Sequence, residues 1–383
     1  MEILRLTLAT VIAFVAVGAL IQLAWGYLSI PSLTDVPPAH SPAPKVSIVV
    51  AARDEERHIQ AAVEALLLQS YPNFELIVVD DRSSDRTAEI LETLSERDAR
   101  LRVTRVHEVS PGWLGKNNAI RAGVSDATGE ILLFTDGDVI LRPHALARAV
   151  RLMLVERADH VAVIPDLLSP RWSLALVVTY FMMWGFLTLR AWKARDPRSS
   201  AYIGIGAFNL VRATAYRAIG GHSRIALRPD DDLMLGKVLK HSGHHQVVAM
   251  GDGEITVEWY RTLGELARGF RKNSFAAMQY SVVLAFGAVV VNMALGVTPF
   301  VAVWLTSGWE RTLWTTAAFA QMLGYASIAW TRHMKPWLAL LYPIAGLLFV
   351  AIFMAAVTRT LRRRGIEWRG TFYPLDQLRA KRR

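Results

Sequence analysis

The hydrophobic pattern divides the chain into apolar ends and an alternating middle. Residues 6–33 are 28 consecutive positions without a charge, whereas ~20 residues at ~1.5 Å each already cross ~30 Å of hydrocarbon. This predicts a transmembrane helix within residues 1–33. A cleaved signal peptide is the competing reading, but its apolar core runs only ~7–15 residues. Residues 34–44, with Pro37, Pro38, Pro42 and Pro44, read as a stiff linker. Three further uncharged runs, at 281–306, 312–331 and 337–358, predict a C-terminal transmembrane region over 279–358 and leave a basic tail at 359–383. With the middle of the chain cytoplasmic, three simple crossings would put that tail outside, against the positive-inside tendency. The run 281–306, interrupted by Asn292, Gly296 and Pro299, is therefore expected to enter and return as two half-helices.

Between these ends the period switches repeatedly. Val46–Ala52 is a β-rich run, 55–69 has helical periodicity, 76–79 is a second strand, and 85–97 a second helix. Further strands follow at Leu101–Val106, 131–135 and His160–Ile164. Strands alternating with helices predict an α/β domain over 45–278 with right-handed crossovers and a mainly parallel, Rossmann-like sheet. Within it, Trp172–Leu189 is an uncharged 18-residue run. A crossing there would separate the halves of the domain across the membrane, so an interfacial or buried helix is expected.

Composition adds two constraints. The 383 residues include no cysteine, which excludes disulfides, thiolate metal sites and cysteine nucleophiles. The net charge of +10 raises nucleic-acid binding as a function. The basic residues instead gather beside apolar segments, at 359–364 and 379–383, so anionic phospholipids are the expected partner and nucleic acid is not.

The candidate chemistry lies at the strand ends. In open α/β sheets, ligands bind beyond the carboxyl ends of the strands. Here those ends carry Arg53-Asp54-Glu55-Glu56, Asp80-Asp81-Arg82-Ser83-Ser84-Asp85 and Asp136-Gly137-Asp138. Converging carboxylates raise one another's pKa unless a cation or hydrogen-bond donors stabilise them. Asp136-Gly137-Asp138 offers hard oxygen ligands for Mg²⁺ or Mn²⁺ shared with substrate phosphates. Read singly, Asp-Gly is a good turn and Asp80-Asp81 a helix cap.

Taken in order, these motifs resemble glycosyltransferase family 2, enzymes of the GT-A fold. Residues 46–56 are similar to that family's first strand and acidic loop, and 78–85 to its Asp-Asp-x-Ser nucleotide signature. Gly115-Lys116-Asn117-Asn118 resembles its Gly-Lys stretch and Asp136-Gly137-Asp138 its metal motif. The resemblance covers about residues 45–275 and implies a cytoplasmic catalytic domain on a multi-pass protein of the inner membrane. It also implies a nucleotide-sugar site formed by Ala52, Arg53, Glu55, Asp80, Asp81, Lys116, Asp136 and Asp138, with the metal on Asp138. Gly204-Ile205-Gly206-Ala207-Phe208-Asn209 resembles the family's acceptor loop, placing Gly206, Ala207 and Phe208 on the acceptor side.

The segment Asp230-Asp231-Asp232-Leu233-Met234-Leu235-Gly236 is similar to the family's Glu-Asp-x-x-Leu-Gly. That alignment implies Asp232 as the catalytic base with Asp231 before it, although three aspartates also suit a helix N-terminus. Arg268-x-x-Arg271-Lys272 keeps the spacing of the processive enzymes' Gln-x-x-Arg-Trp but replaces its tryptophan by Lys272. This segment looks more like the lipid-glycosylating branch, which includes carotenoid-acid, hopanoid-associated and ceramide glucosyltransferases. Arg268, Arg271 and Lys272 are then expected either to grip the donor diphosphate or to snorkel at the bilayer. Arg121, where relatives often carry asparagine, leaves donor choice open. The expectation is inverting transfer of a hexose, from a UDP-sugar such as UDP-glucose, to a membrane lipid acceptor. A processive polysaccharide synthase and a non-catalytic membrane scaffold or transport component are the alternatives.

Overall fold

Seven consecutive buried residues make Val46–Ala52 the axis of the fold, as expected of a β-branched strand flanked by parallel neighbours and covered on both faces. The computed structural model describes residues 2–39, 43–368 and 371–380. In chain order its first elements are α1 (Glu2–Leu28), β1 (Val46–Ala52), α2 (Ile59–Leu67), β2 (Phe74–Asp81), α3 (Thr87–Ser95), β3 (Leu101–Val106), α4 (Gly115–Ser125), β4 (Ile131–Asp136) and β5 (Val139–Leu141). They continue with α5 (Ala145–Val155), β6 (His160–Ile164), β7 (Asp166–Leu167), α6 (Trp172–Leu189), β8 (Asn209–Arg212), α7 (Ala213–Ala218), α8 (Asp231–His241), β9 (Gln246–Met250) and β10 (Ile255–Val257). The last are α9 (Leu263–Ala277), α10 (Val282–Gly296), α11 (Thr298–Leu305), α12 (Gly308–Thr331), α13 (Tyr342–Arg363), β11 (Gly365–Trp368), β12 (Thr371–Pro374) and α14 (Leu375–Ala380).

These elements form two compact units. One comprises Ile30–Leu168 and Arg190–Glu258; the other comprises residues 2–29, Ser169–Leu189 and the chain from Trp259 onward. The first holds a seven-stranded sheet in the order β3-β2-β1-β4-β8-β6-β9. Only β8 in it is antiparallel to its neighbours, so the sheet is mostly parallel. Because β1 pairs with β2 on one side and β4 on the other, the strand order reverses beside it, and a crevice opens where such sheets bind ligands. The register sets Ala52 opposite Asp80 and Ala51 opposite Asp136, bringing the acidic strand ends level with one another.

Two helices start later than periodicity predicts. The pattern over 55–69 and 85–97 puts their first turns at Glu55 and Asp85, but α2 starts at Ile59 and α3 at Thr87. The reason is a zipper between the two loops. The backbone N–H groups of Asp54, Glu55 and Glu56 donate to Ser83 Oγ, Thr87 Oγ1 and Asp85 Oδ2, while Ser84 N donates to Asp54 Oδ1 at 2.7 Å. Satisfied from outside, this backbone has no need to enter a helix.

The second unit is helical. Among the described residues, Glu2–Leu28, Trp172–Lys193 and Pro336–Arg363 are long and apolar enough to cross a membrane, and α10 and α11 form a further pair bent by 43°. Small residues join α1 to α12: Ala9, Ala13 and Ala16 pack against Ala317 and Ala320. The run expected to be interfacial or buried forms α6 over those same residues, and Leu176, Tyr180 and Met183 cluster with Tyr325 and Tyr342 of this unit.

Candidate active site

The acidic strand ends and one lysine build the centre of the site in the α/β unit. Lys116, in the first turn of α4, reaches Asp136 Oδ1 at 2.7 Å and Asp231 Oδ2 at 3.4 Å. Burial opposes its charge, but Asp136, Asp231 and Asp232 outweigh burial and raise its pKa, so the group is an ammonium. Asp231 is 4% exposed and sits in the first turn of α8, where the helix dipole also favours an anion.

Asp232 is held differently. Its Oδ2 accepts the Gly206 N–H at 2.7 Å and its Oδ1 accepts the Leu233 N–H at 2.8 Å. Burial raises its pKa above the ordinary carboxylate value, assisted by Asp136 and opposed by Lys116 and these two hydrogen bonds. A Cβ on Gly206 would stand 2.6 Å from Asp136 Oδ2 and 3.2 Å from Asp232 Oδ2. The absent side chain is therefore what lets the acceptor loop lie against both carboxylates. Gly204 and Gly236 serve the same approach: a Cβ on Gly204 would collide with the carbonyl of Asp232, and one on Gly236 with that of Ile203.

Asp138 follows the turn after β4. Burial, then the charges of Asp136 and Glu55, push its carboxyl up to about 7. Among the described residues no three His, Asp or Glu side chains converge as a closed metal cage. The donor set is instead one or two hard carboxylates in surplus negative charge, which fits a divalent ion completing its shell with water and phosphate oxygens.

On the other flank, Asp80 Oδ1 accepts Ser83 N at 3.2 Å, and Asp81 Oδ1 accepts Arg82 Nε at 2.8 Å. Arg53 Nη1 lies 4.0 Å from Asp81 Oδ2. A Cβ on Gly115 would come within 2.5 Å of that same Asp81 oxygen, so the first residue of α4 must be glycine-sized to reach β2. Asp81 and Lys116 are thereby set on either side of one helix start.

Several expected residues lie away from this centre or are covered by the core. Ala52 is fully buried between strands and presents only main chain. Phe208, expected on the acceptor side, is fully buried in the core because β8 begins one residue later and turns its side chain inward. Ala207 is 7% exposed, and its carbonyl accepts Thr135 Oγ1 at 2.8 Å. Arg268 and Arg271 stand on α9 in the helical unit, where Arg271 faces Arg359, Arg268 and Arg363. The Lys272 side chain lies outside the described residues.

Sequence reasoning also misses residues. Asn117 Nδ2 binds the carbonyls of Ile225, Ala226 and Arg228 at 2.9, 3.2 and 3.0 Å, which ties α4 to the chain entering α8. Buried His222, pushed down to about 3 by burial and then by Lys116, accompanies it. The triplet His160, Asn209 and Gln246 is hydrogen-bonded together and fastens the acceptor loop through Ile203 N and Ile205 N. No motif spacing marks these residues, since their partners are distant in sequence.

A mostly parallel sheet with carboxylates at its switch point and a glycine loop over them is the architecture of the GT-A fold. Residues 47–216 match the profile of Glycosyl transferase family 2. A 4,4'-diaponeurosporenoate glycosyltransferase of Staphylococcus haemolyticus is 28% identical over 227 residues, 56% of this chain and 56% of that protein. An uncharacterized glycosyltransferase of Nostoc sp. is 28% identical over 123 residues, 32% of this chain and 36% of the relative, so the chain spans about a third of that relative's length. Among solved structures, the mannosyltransferase PcManGT of Pyrobaculum calidifontis, in complex with GDP-Man and Mn²⁺, superposes with a TM-score of 0.53 at 18% identity. That match covers 94% of this chain and 99% of the other, and it supports the GT-A fold.

Proposed function

We propose that the chain is a membrane-bound glycosyltransferase that moves a hexose from a nucleotide sugar, a UDP-sugar in our reading, to a membrane lipid acceptor with inversion. The observation that carries this reading is the convergence of Asp136 and Asp232 on Gly206, with Lys116 bridging Asp136 to Asp231. Arg53, Glu55, Asp80, Asp81 and Lys116 form the donor side. Asp138 and Asp136 would hold Mg²⁺ or Mn²⁺, whose contribution is to neutralise charge on the leaving diphosphate.

Asp232 is the base. The acceptor oxygen bonds to the anomeric carbon as the bond from that carbon to the diphosphate oxygen breaks. The hydroxyl proton passes to Asp232, and the nucleoside diphosphate leaves with the bonding electrons. Two backbone N–H groups fix the Asp232 carboxylate and leave lone pairs free for that proton, while burial raises its basicity. The catalytic unit faces the cytoplasm of a cell whose inner membrane holds the helices, anionic phospholipids are partners, and nucleic acid is not.

The test is incubation of membranes containing the protein with radiolabelled UDP-glucose and Mn²⁺. Label should move into the solvent-extractable lipid fraction, and Asp232→Asn should lower the rate by about 10²–10⁴-fold, the range of a lost general base. Label recovered mainly as water-soluble polymer would sink the lipid-acceptor reading. Full activity in Asp232→Asn would sink the site assignment.

A further inference from the structure

Contacts inside the helical unit order its elements by depth. Ala9, Ile12 and Ala13 of α1 cluster with Trp314 and Ala317 of α12, Leu23 lies against Gly324, and Arg332 stands over the Tyr27 ring at 5.9 Å. The helices α1 and α12 therefore run parallel, and both end at one face of this unit, that of Leu28 and Thr331. This is the proximal face. Gly308, at the start of α12, is distal, and α11 ends at Leu305, three residues before it. The pair α10 and α11, which the sequence leads one to expect as a return hairpin, thus reaches the distal face. Its break at Val297 bends the path without reversing it.

The segment Pro336–Arg363 behaves otherwise. It follows the proximal end of α12, and the Tyr342 ring lies 5.8 Å from that of Tyr325, six residues before Thr331 and hence only about 9 Å along the α12 axis from its end. Further on, Phe349 meets Phe270 of α9 at 6.2 Å, and Arg359 and Arg363 face Arg271 of α9. After α13, Arg379 donates to the Tyr280 carbonyl between α9 and α10 at 2.8 Å. Helix α9 leads at Ala277 into the start of α10, the end of the α10–α11 pair opposite Leu305, so it too is proximal. Both ends of this apolar segment lie at one face.

The exposed stripe of α13 runs through Ile344, Leu347 and Met354 and turns cationic at its end. There Met354, Ala355, Thr358, Arg359, Arg362 and Arg363 line an open cavity of about 520 Å³. Arg363 is paired with Glu367 at 2.8 Å, while Arg359 and Arg362 have no carboxylate partner among the described residues. Burial, then repulsion by Arg359, Arg268 and Arg363, lowers the pKa of Arg271 beside them, so positive charge is concentrated here. Guanidinium groups bind phosphate bidentately, and methylene and methyl surface beside them suits an acyl chain.

We propose that Arg359 and Arg362, at the end of a re-entrant segment that enters and leaves at the proximal face, bind the phosphate headgroup of an anionic membrane glycerophospholipid. This site does not depend on the donor chemistry. It also leaves three crossings, α1, α10 with α11, and α12, and so returns the basic tail to the proximal face.

The test uses the full chain reconstituted with phosphatidylglycerol and phosphatidylcholine, with lipid retained on the purified protein measured by native mass spectrometry. Phosphatidylglycerol should be retained over phosphatidylcholine, and Arg359→Gln with Arg362→Gln should weaken that retention about tenfold, while the Arg→Lys pair keeps part of it. Unchanged retention in the Gln pair overturns the site, and displacement of phosphatidylglycerol by inorganic phosphate at equal concentration overturns the lipid as its occupant. Because the chain has no native cysteine, Ser307→Cys and Gln377→Cys also report topology directly. A membrane-impermeant maleimide should label them from opposite faces, and labelling of both from one face overturns the re-entrant path.

Discussion

At the scale of single residues, the site depends on a missing side chain as much as on those present. Gly206 has ordinary backbone geometry, so its requirement is space: any Cβ would meet Asp136 Oδ2 at 2.6 Å and press on Asp232. Gly206→Ala should therefore move both carboxylates by tenths of an ångström while leaving the core intact. We expect kcat to fall about 10–100-fold, in keeping with the sensitivity of positioned groups to small displacements, with an unchanged circular dichroism spectrum; a kcat within twofold of wild type would refute the close approach. The carboxylates themselves are legible in the sequence, because a polar residue ending an apolar strand has few structural reasons to be there. The Gly206–Asp136 contact is not legible, since it joins residues 70 positions apart that no local pattern couples.

At the scale of elements, a buried polar triplet links the acceptor loop to the base. His160, on β6, bonds Asn209 Oδ1 through Nε2 at 2.9 Å, and Gln246 Nε2 reaches its Nδ1 at 3.0 Å. Asn209 Oδ1 also accepts Ile205 N, Gln246 Oε1 accepts Ile203 N, and Gln246 Nε2 donates to the Gly236 carbonyl. One network thus holds both the 203–206 loop and α8, the helix that carries Asp232. Asn209→Ala leaves buried partners unsatisfied, a loss of about 1–3 kcal/mol. It should lower kcat more than it changes donor KM, because its contacts are with the loop and base and not with the donor side; an equal effect on both would argue for a general loss of folding.

The same triplet has a pH signature. Burial pulls His160 down to about 4, below the ~6.5 of an unfolded chain. The unfolded state therefore binds more protons between those values, so this contribution is complete above about pH 6.5 and is lost as pH falls towards 4. The melting temperature in detergent should drop from pH 7.5 to pH 5, and His160→Gln should make that drop smaller. Strand order around this triplet is only partly legible. The alternation of strands and helices predicts the parallel strands β1, β2, β3 and β4, but the antiparallel β8 is a four-residue strand whose place is set by long-range pairing with β4 and β6.

At the scale of the whole molecule, hydropathy identifies which segments avoid water but not which of them cross a membrane. An uncharged run has the same composition whether it spans or returns, and only its neighbours decide. In 337–358 those neighbours are Tyr325 at one end and the arginines of α9 at the other, again distant in sequence. Run 312–331, by contrast, extends in the structure to Gly308 and takes in Glu310 and Arg311. Its partnership with α1 rests on small residues, since in lipid the packing of surfaces must supply the association that water supplies elsewhere. Ala317 is fully buried against Ala9, Ile12 and Ala13, with no room for a longer side chain. Ala317→Leu should force α1 and α12 apart and lower the melting temperature of the detergent-solubilised protein, overpacking of this kind costing about 1–3 kcal/mol. Leucine at exposed Ser327 of α12 should have no such effect. Equal melting of the two variants would mean that α1 is held to α12 by lipid-facing surface and not by the small-residue seam.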